Sequence, residues 1–570
     1  MVASMVRTLA LACAAVLGLL ATAAAQARPV VVRGPYLQGA TSSSMVVRWR
    51  TDVPTDTRLW TGAGPGALQL AHVDPAPVTE HEVVVGGLAP ATQRWYAVGD
   101  AGGILAGNDA HHSFRTLPAP GAVAPLRFWV LGDAGLPWVG QSMVRDAYAQ
   151  FAAARPADLV LLLGDNAYYT GTDAEYQAGL FTPFQQFFRN TCVWSTFGNH
   201  DGMSASAPLQ SGPYFDVFTM PRNGEAGGVP SGTEAHYSFD HGHVHFVCLD
   251  SEGSSRAATG AMAQWLAADL AATTAPWVVV YFHHPPYTKG THDSDRRTDS
   301  GGRMHDMREV FVPILEAHGV DLVLCGHSHG YERSFLLDGH TGASTTLLPS
   351  MVLDRGDGTA ALDGTYAKAT LPHAAHEGTV YVVAGSAGMV APAPLDHPAM
   401  YRSRATMGSL VVDVDGNRLD ASFVDFSGAV LDRFTLEKGV QRTLLRDVPT
   451  ISVKAGGTQS FQLQAGAAFA GHTYLLMGSF GTGPGFQMGG VQVPLAADEW
   501  LAASLGMTNG DTYPDAFGVL DPSGRATAAF VVPDGTWLPF QGASLYHAYV
   551  ATGPTGPRFA SNPVRLRLVQ

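Results

Sequence analysis

The sequence predicts a three-part protein in which an α/β domain is flanked by two β-sandwiches. Its 570 residues exceed what one hydrophobic core usually covers, so several domains are expected. Apolar residues make up 46% and charged residues 14%, with many glycines and prolines, which indicates an ordered chain rich in strands and turns. Strand patterns alternate with helical patterns only in the middle of the chain, and that alternation is typical of an α/β domain.

The first 27 residues have the pattern of a secretory signal peptide. Arg7 supplies a positive start, residues 9–20 form an apolar stretch, and residues 25–27 form an Ala-x-Ala cleavage motif. The apolar stretch is shorter than the roughly 20 residues that span a bilayer, which favours a cleaved signal over a membrane anchor. We therefore expect secretion to the periplasm or the medium, a mature chain that starts near Arg28, and no stable membrane insertion.

Residues 30–117 have the pattern of a small antiparallel sandwich. Short β-type runs such as residues 45–49 alternate with turn-forming segments such as residues 62–66. The proline- and glycine-rich residues 117–121 then mark a boundary before the middle domain.

The middle domain, residues 126–437, alternates apolar runs with amphipathic helices. The runs that predict strands cover residues 126–131, 158–163, 192–197, 277–282 and 320–325. Between the first two runs, apolar side chains recur at helical spacing, which indicates a βαβ unit and parallel strands. A further helix, predicted from the spacing of Met307, Phe311 and Leu315 and closed by Gly319, precedes the last run.

The end of the chain, residues 445–570, is predicted to be a second β-sandwich of unknown role. The helical pattern disappears after about residue 438, and glycine-rich turns divide β-type runs. This segment has no concentrated set of His, Asp or Cys residues, so we expect binding or spacing from it rather than chemistry.

Charge and cysteine content narrow the possible partners. The formal net charge of −14 would repel a nucleic-acid backbone, and no basic run offsets it, so nucleic acid is not an expected partner. A small phosphorylated substrate remains compatible, because bound cations can reverse the local field. After signal cleavage Cys192, Cys248 and Cys325 remain in apolar runs, which predicts buried thiols without a catalytic role. The oligomeric state has no readable signal.

Five polar motifs follow apolar runs of the middle domain. They are Gly132-Asp133-Ala134-Gly135, Gly164-Asp165-Asn166-Ala167-Tyr168, Gly198-Asn199-His200-Asp201, His283-His284-Pro285-Pro286 and Gly326-His327-Ser328-His329. A lone Asp after a strand is often a helix cap, and two close histidines can be a hydrogen-bonded structural pair. Five motifs together favour a shared ligand site at the carboxyl ends of the strands. Carboxylate, amide and imidazole donors suit Fe, Mn or Zn better than Ca or Mg.

This ordered set of motifs resembles the calcineurin-like metallophosphoesterases. The tyrosine in the second motif resembles the purple acid phosphatases in particular, and Tyr331-Glu332-Arg333 after the last motif is a further match. The first sandwich, which opens with residues 33–37, resembles the fibronectin-III-like domain that precedes the catalytic part of that family. The resemblance covers roughly residues 30 to 437 and leaves the C-terminal sandwich outside.

The resemblance implies a ligand set for two metal ions, a ferric ion and a second ion that is Zn, Mn or ferrous iron. Asp133, Tyr168 and His329 would bind the first ion, with Tyr168 as its phenolate ligand. Asp165 would bridge both ions. The second ion would be bound by Asn199, His283 and His327.

Two further histidines are implied to be catalytic. His200 directly follows a ligand and would donate a hydrogen bond to the substrate phosphate. His292 is similar to the loop histidine that protonates the leaving group in the family, and His284 is the alternative candidate for that role. Both imidazoles could donate a proton at neutral or acidic pH.

The sequence therefore predicts a secreted acid phosphatase that hydrolyses phosphate monoesters by attack of metal-bound hydroxide. One alternative is a phosphodiesterase of the same superfamily. A second alternative is a non-catalytic secreted binding or adhesion protein in which the two sandwiches are the working parts. The substrate is not readable, because the outer pocket is formed by loops without a recognisable code.

Overall fold

A computed structural model of the chain describes residues 28–359 and 364–570. The predicted signal peptide, residues 1–27, lies outside these described residues. Within them, no helix is both long enough and apolar enough to cross a membrane.

The N-terminal part is a six-stranded antiparallel sheet. Its strands are β1 Val31–Gln38, β2 Met45–Gly62, β3 Leu68–Val85, β4 Gln93–Asp100, β5 Gly103–Gly107 and β6 Ser113–Arg115. The first half of β2 pairs with β1 and its second half pairs with β4, so this long strand joins the two halves of the sheet. The predicted short runs therefore lie inside longer strands, and the likeness to a fibronectin-III-like domain stays a prediction.

The middle part contains sixteen strands in chain order. They are β7 Leu126–Leu131, β8 Leu159–Leu162, β9 Cys192–Ser195, β10 Tyr237–His241, β11 Val244–Cys248, β12 Trp277–Phe282, β13 Leu322–Cys325, β14 Tyr331–Ser334, β15 Leu336–Leu337, β16 Val352–Asp354, β17 Tyr366–Lys368, β18 Val380–Ala384, β19 Met400–Arg404, β20 Gly408–Asp415, β21 Arg418–Asp425 and β22 Val430–Lys438. Fourteen of them form two seven-stranded sheets, in the orders β17-β22-β21-β20-β7-β8-β9 and β10-β11-β12-β13-β18-β14-β19.

Both large sheets are mixed. Strands β7, β8 and β9 are parallel in the first sheet, and β11, β12, β13 and β18 are parallel in the second. Antiparallel strands extend each of these parallel groups. The expected parallel strands are thus present, but they are divided between two sheets.

Seven of the eight described α-helices also lie in the middle part. They are α1 Val139–Phe151, α2 Asp173–Tyr176, α3 Thr182–Phe188, α4 Pro213–Val217, α5 Ala261–Ala272, α6 Arg303–Asp306 and α7 Val312–Ala317. The predicted helix around Met307 is interrupted, because a π-turn at Met307–Phe311 joins α6 to α7. A second π-turn, Gln177–Phe181, joins α2 to α3. Each π-turn directly precedes a helix with proline near its start, where the missing N–H interrupts regular α-helical bonding.

The two large sheets pack face to face between outer helices. Phe128 contacts Phe246 across the interface, and the ring of Trp194 stacks on that of Phe239 at 3.7 Å. On the outer face of the first sheet, Trp129 stacks on Tyr148 of α1 at 3.6 Å. Helices α5 and α7 contribute apolar side chains to a separate cluster with the second sheet. The result is a helix–sheet–sheet–helix arrangement that buries both faces of each sheet.

The C-terminal part consists mainly of strands around a core of its own. Its strands are β23 Leu444–Arg446, β24 Thr450–Ser452, β25 Gly457–Gln464, β26 Thr473–Ser479, β27 Phe486–Met488, β28 Val491–Val493, β29 Phe517–Val519, β30 Arg525–Val532, β31 Ser544–Gly553, β32 Gly556–Ala560 and β33 Val564–Val569. One helix that the sequence did not indicate, α8 Glu499–Gly506, begins after Asp498, whose side chain accepts a hydrogen bond from the Leu501 amide. The cores here contain only residues of this part.

Candidate metal centre

The polar motifs lie at one edge of the two facing sheets. Asp133 follows β7, Asp165 and Tyr168 follow β8, and Asn199 follows β9 in the first sheet. His283 follows β12 of the second sheet. His327 and His329 follow β13, which pairs in parallel with β12. Because the sheets pack face to face, the carboxyl ends of strands from both sheets bring their loops together.

The backbone at this edge is held in an unusual conformation. Asp133, Asp165 and His327 have positive φ angles of 57°, 51° and 66°, a region that non-glycine residues rarely adopt. Such conformations cost about 1 kcal/mol or more each and persist where the surroundings fix them. The motif glycines let the backbone pass close to these carboxylates. A Cβ on Gly198 would lie 2.4 Å from the Asp165 carboxylate, and one on Gly326 would lie 2.6 Å from the Asp133 carboxylate.

One set of donor atoms surrounds the Tyr168 hydroxyl. This oxygen lies 3.2 Å from Asp133 Oδ1, 3.1 Å from Asp165 Oδ2 and 3.3 Å from His329 Nε2. His329 Nε2 also lies 3.5 Å from Asp133 Oδ1. We call these four side chains the tyrosine set.

A second set of donor atoms surrounds the side-chain oxygen of Asn199. His283 Nε2 lies 3.0 Å and His327 Nδ1 lies 2.9 Å from Asn199 Oδ1, and the two imidazole nitrogens are 3.2 Å apart. His283 Nε2 is also 3.4 Å from Asp165 Oδ2. We call Asn199, His283, His327 and Asp165 the asparagine set. Asp165 Oδ2 therefore belongs to both sets.

The asparagine set has acceptors facing acceptors. His283 Nδ1 lies 2.8 Å from the Leu163 carbonyl and donates to it, so in the neutral ring Nε2 carries a lone pair. His327 Nε2 lies 2.6 Å from Ser300 Oγ, which in turn donates to Asp299, so Nδ1 of His327 also carries a lone pair. When both rings are neutral, both lone pairs face the Asn199 oxygen with no proton between them. A cation satisfies this arrangement, and a second hydrogen bond that fixes each ring is typical of metal-binding histidines.

The charges at the site also favour a cation. Burial alone would raise the pKa of Asp165, but His283 and His200 lower it to about 2, so its carboxylate is ionised. Burial alone would lower the pKa of His283, but Asp165 and Asp133 raise it to about 10. Without a cation Nε2 therefore holds a proton at neutral pH, and a bound metal ion would take the place of that proton. Burial and the neighbouring His284 and His283 hold the pKa of His327 well below its ordinary value. The two buried carboxylates thus attract positive charge to the point where the two sets meet.

His200 lies beside both sets with one ring nitrogen already engaged. Its Nδ1 is 2.6 Å from the Tyr169 carbonyl, to which it donates, and its Nε2 is 3.9 Å from Asp165 Oδ2. Its side chain is 26% exposed, so Nε2 can be reached by a ligand from solvent.

His292 lies beside the asparagine set. Its ring stacks on that of His327 at a centroid distance of 3.9 Å. Its Nδ1 lies 2.8 Å from Asp299 Oδ1, so Nε2 is the ring nitrogen that points away from this carboxylate. The side chain is 32% exposed. His284, the alternative candidate, is instead buried, with Nδ1 2.9 Å from Ser251 Oγ.

All nine side chains singled out from the sequence therefore meet at one place, whereas their supporting residues were missed. Asp299 orients His292, and Ser300 contacts His327. Asp201 is fully buried and accepts hydrogen bonds from the amides of Gly198 and Asn166. Only Asp201 had a sequence signal, as the last residue of the third motif.

Comparison with known proteins is consistent with this geometry. Residues 126–331 match a family model described as calcineurin-like phosphoesterase. Purple acid phosphatase 15 of Arabidopsis thaliana is 30% identical over 281 residues, which cover 45% of this chain and 49% of that protein. An uncharacterized protein of Mycobacterium tuberculosis is 28% identical over 406 residues, which cover 63% of this chain and 70% of that protein.

A solved structure shares the fold at lower identity. Purple acid phosphatase PPD1 from yellow lupin seeds is 18% identical and superposes with a TM-score of 0.55, covering 72% of this chain and 74% of its own. The chain spans about half the length of the Arabidopsis phosphatases that it matches.

Proposed function

We propose that this protein is a binuclear-metal acid phosphatase, because residues 126–331 match the calcineurin-like phosphoesterase family and part of the chain is 30% identical to a purple acid phosphatase. Its substrates would be small phosphate monoesters. The observation that carries the proposal is the meeting of two donor sets at one carboxylate oxygen, Asp165 Oδ2.

The tyrosine set and the asparagine set would each hold one ion, with Asp165 shared between them. Two bound metal ions supply a water of lowered pKa and neutralise the charge that builds up on the phosphoryl group. A mixed set of carboxylate, phenol, amide and imidazole donors suits Fe, Mn or Zn. We propose a ferric ion in the tyrosine set. The visible absorbance of the purified protein tests this, since it should disappear in Tyr168→Phe.

His200 would bind the substrate phosphate. The hydrogen bond from Nδ1 to the Tyr169 carbonyl fixes the ring, so that Nε2 faces the space beside Asp165. When that nitrogen carries a proton, it can donate to a phosphoryl oxygen and stabilise negative charge there.

His292 would deliver a proton to the leaving group. The Asp299 carboxylate accepts from Nδ1–H and orients the ring, while the stack on His327 fixes its plane beside the asparagine set. Protonation of the departing oxygen is most valuable for alkoxide leaving groups, which are poor without it.

Turnover of paired substrates tests the proposed reaction. A metal-loaded preparation should hydrolyse p-nitrophenyl phosphate faster than bis(p-nitrophenyl) phosphate. A preference for the diester would favour the phosphodiesterase alternative. The absence of hydrolysis of either ester, in a preparation with its metals bound, would favour the non-catalytic binding protein.

Secretion and the fibronectin-III-like character of the N-terminal sheet belong to the same proposal. The signal-peptide pattern of residues 1–27 supports export. N-terminal sequencing of the secreted protein should give Arg28 as the first residue, and finding Met1 there would contradict cleavage.

A further inference from the structure

Glu175 of the short helix α2 holds the loop between Tyr168 and that helix. Its carboxylate accepts hydrogen bonds from the backbone amides of Tyr169, Thr170 and Thr172 at 2.5, 3.1 and 2.8 Å. The hydroxyls of Thr170 and Thr172 donate to it at 3.0 and 2.9 Å. Five donors on one carboxylate are more than a helix cap requires, and they come from three of the four residues 169–172.

The loop that Glu175 holds is in direct contact with His200. The Tyr169 carbonyl accepts the hydrogen bond from His200 Nδ1 at 2.6 Å. Gly171 packs on the following turn so closely that a Cβ there would lie 2.7 Å from the His200 carbonyl oxygen. Ser204 Oγ donates to the Gly171 carbonyl at 2.5 Å. The position of this loop therefore sets the plane of the His200 ring and determines that Nε2 is the nitrogen that faces Asp165.

The next residue of α2, Tyr176, supports the turn that carries Asn199 and His200. Tyr176 is fully buried, and its hydroxyl donates to Asp201. Asp201 accepts in turn from the amides of Gly198 at 2.9 Å and Asn166 at 3.2 Å. Glu175 and Tyr176 thus hold the turn that carries Asn199 and His200 from two directions.

The first residue of α2 connects this assembly to the N-terminal sheet. Asp173 accepts from Arg33 of β1 at 2.7 Å and from Arg50 of β2 at 2.5 Å. Arg33 is buried and also donates to Gln177, in the π-turn that follows α2, at 2.8 Å. Two arginines from one sheet therefore fix the position of α2 relative to the middle part.

We propose that α2 is a positioning element for His200, with Glu175 as the positioning residue and Asp173 as its anchor on the N-terminal sheet. The N-terminal part then contributes to phosphate binding indirectly, because its arginines hold α2 and α2 holds the loop that contacts His200. None of its residues belongs to either donor set. Glu175 belongs to neither donor set and acts through the loop of residues 169–172, which contacts His200.

The competing explanation is that Glu175 only stabilises α2. A capping box joins Glu175 to Thr172, and loss of such a cap typically costs about 1 kcal/mol of stability. A purely stabilising residue would lower the amount of folded enzyme, but it would not act through one particular histidine. The two explanations therefore differ in their coupling to His200.

A double-mutant cycle of Glu175→Gln and His200→Ala measures that coupling. Glu175→Gln should lower kcat/KM on p-nitrophenyl phosphate about tenfold and weaken competitive inhibition by inorganic phosphate by a similar factor, because His200 is displaced. In the His200→Ala background the same change should cost less than about twofold. Equal losses in both backgrounds, with metal content unchanged, would overturn the proposal.

The inference rests on the proposed function, and the cycle separates the two. If the wild-type protein with its metals bound hydrolyses no phosphoester, the proposed function fails. If the wild type is active and His200→Ala is impaired while Glu175→Gln acts independently of it, only the positioning role fails.

Hydrogen–deuterium exchange supplies a readout without turnover. Glu175→Gln and Asp173→Asn should both speed exchange in residues 169–172 and 199–204, because the hydrogen bonds that order them are lost. The matched control is Asp56→Asn, which removes a 2.8 Å ion pair with Arg58 elsewhere in the N-terminal sheet. Unchanged exchange of residues 199–204 in Glu175→Gln would contradict the proposal.

Discussion

Asp165 is the residue on which the two donor sets depend. Its Oδ2 lies 3.1 Å from the Tyr168 hydroxyl and 3.4 Å from His283 Nε2, so neither set is complete without it. Its other oxygen accepts from the His200 amide at 2.8 Å, which holds the carboxylate in place. A single side chain therefore links the sets to each other and to the proposed phosphate-binding residue.

We expect Asp165→Asn to lose metal and activity together. The amide has nearly the same volume but lacks the negative charge, so metal content should fall below two ions per chain and kcat should fall more than about 100-fold. Elemental analysis and assay of the same preparation check this. Asp158→Asn, at the other end of β8, is the matched control and should keep both properties. An active Asp165→Asn enzyme with two ions would contradict the shared-ligand assignment.

The effect of His292→Ala should depend on the leaving group. Turnover of an alkyl phosphate should fall about 100-fold, because the alkoxide then departs without a proton. Turnover of p-nitrophenyl phosphate should fall less than about tenfold, because p-nitrophenolate needs little assistance. His376→Ala removes a similar His–Asp pair, 2.9 Å from Asp338, and should leave both rates unchanged. Equal losses on the two substrates would remove His292 from the role of general acid.

At the residue scale, the sequence pointed to nine side chains that the structure brings together, but not to the residues that support them. The site residues stand next to glycines at the ends of apolar runs, and that local pattern is visible in the chain. Glu175 and Asp299 lie in loops and short helical turns without such a pattern. Their importance depends on which backbone groups the fold brings to their carboxylates, and this cannot be read from neighbouring residues.

At the element scale, helix α5 is fixed to the second sheet by a buried histidine that contacts two aspartates. His245 of β11 is 1% exposed and lies between Asp240 at 2.7 Å and Asp269 of α5 at 2.9 Å. Burial alone would lower the pKa of His245, but its bonds to Asp240 and Asp269 raise it to about 9. The imidazolium therefore stabilises the folded state.

This contact predicts a pH-dependent loss of stability. The folded-state pKa lies above the ordinary value of 6.5, so the stabilisation is complete below about pH 6.5 and is lost as the pH rises through 9. We expect His245→Gln to lower the free energy of unfolding by about 2 to 3 kcal/mol at pH 6 and by much less at pH 9.5. Urea denaturation followed by tryptophan fluorescence at both pH values checks this. A loss that does not change with pH would exclude the charge as its cause.

The sequence predicted strands better than it predicted sheets. Residues 126–131 and 277–282 are strands with the expected bounds, and the runs at 158–163 and 320–325 are slightly shorter strands. Apolar runs show where strands lie, but not that β8 pairs with β9 in one sheet while β11 pairs with β12 in another. In the first sheet β7 also pairs with β20, which is distant in the sequence. In the second sheet β11 also pairs with β10, which is antiparallel to it and so has no βαβ pattern in the sequence.

At the scale of the whole molecule, the three parts are not equally independent. One hydrophobic core contains Trp49 and Tyr96 of the N-terminal sheet together with Phe128 and Trp194 of the middle part. The C-terminal cores contain only residues after 440. Sequence patterns mark apolar residues but not which faces meet, so the shared core of the first two parts was not predictable.

Truncation should therefore have opposite effects at the two ends. A chain of residues 28–441 keeps β22 and the shared core, and its kcat should stay within about twofold of the full-length value. A chain of residues 120–570 loses part of that core and the Arg33 and Arg50 contacts to Asp173, so we expect it to be unfolded or inactive. Circular dichroism and phosphatase assays check both. An active chain without the N-terminal sheet would contradict the shared core.

The central claim is that seven side chains from two sheets hold two metal ions around Asp165. Anomalous diffraction from crystals of the metal-loaded protein tests it directly. We expect two peaks about 3.5–4 Å apart on either side of Asp165 Oδ2, one within the tyrosine set and one within the asparagine set. A single peak, or peaks outside these sets in a preparation that hydrolyses phosphoesters, would contradict the account.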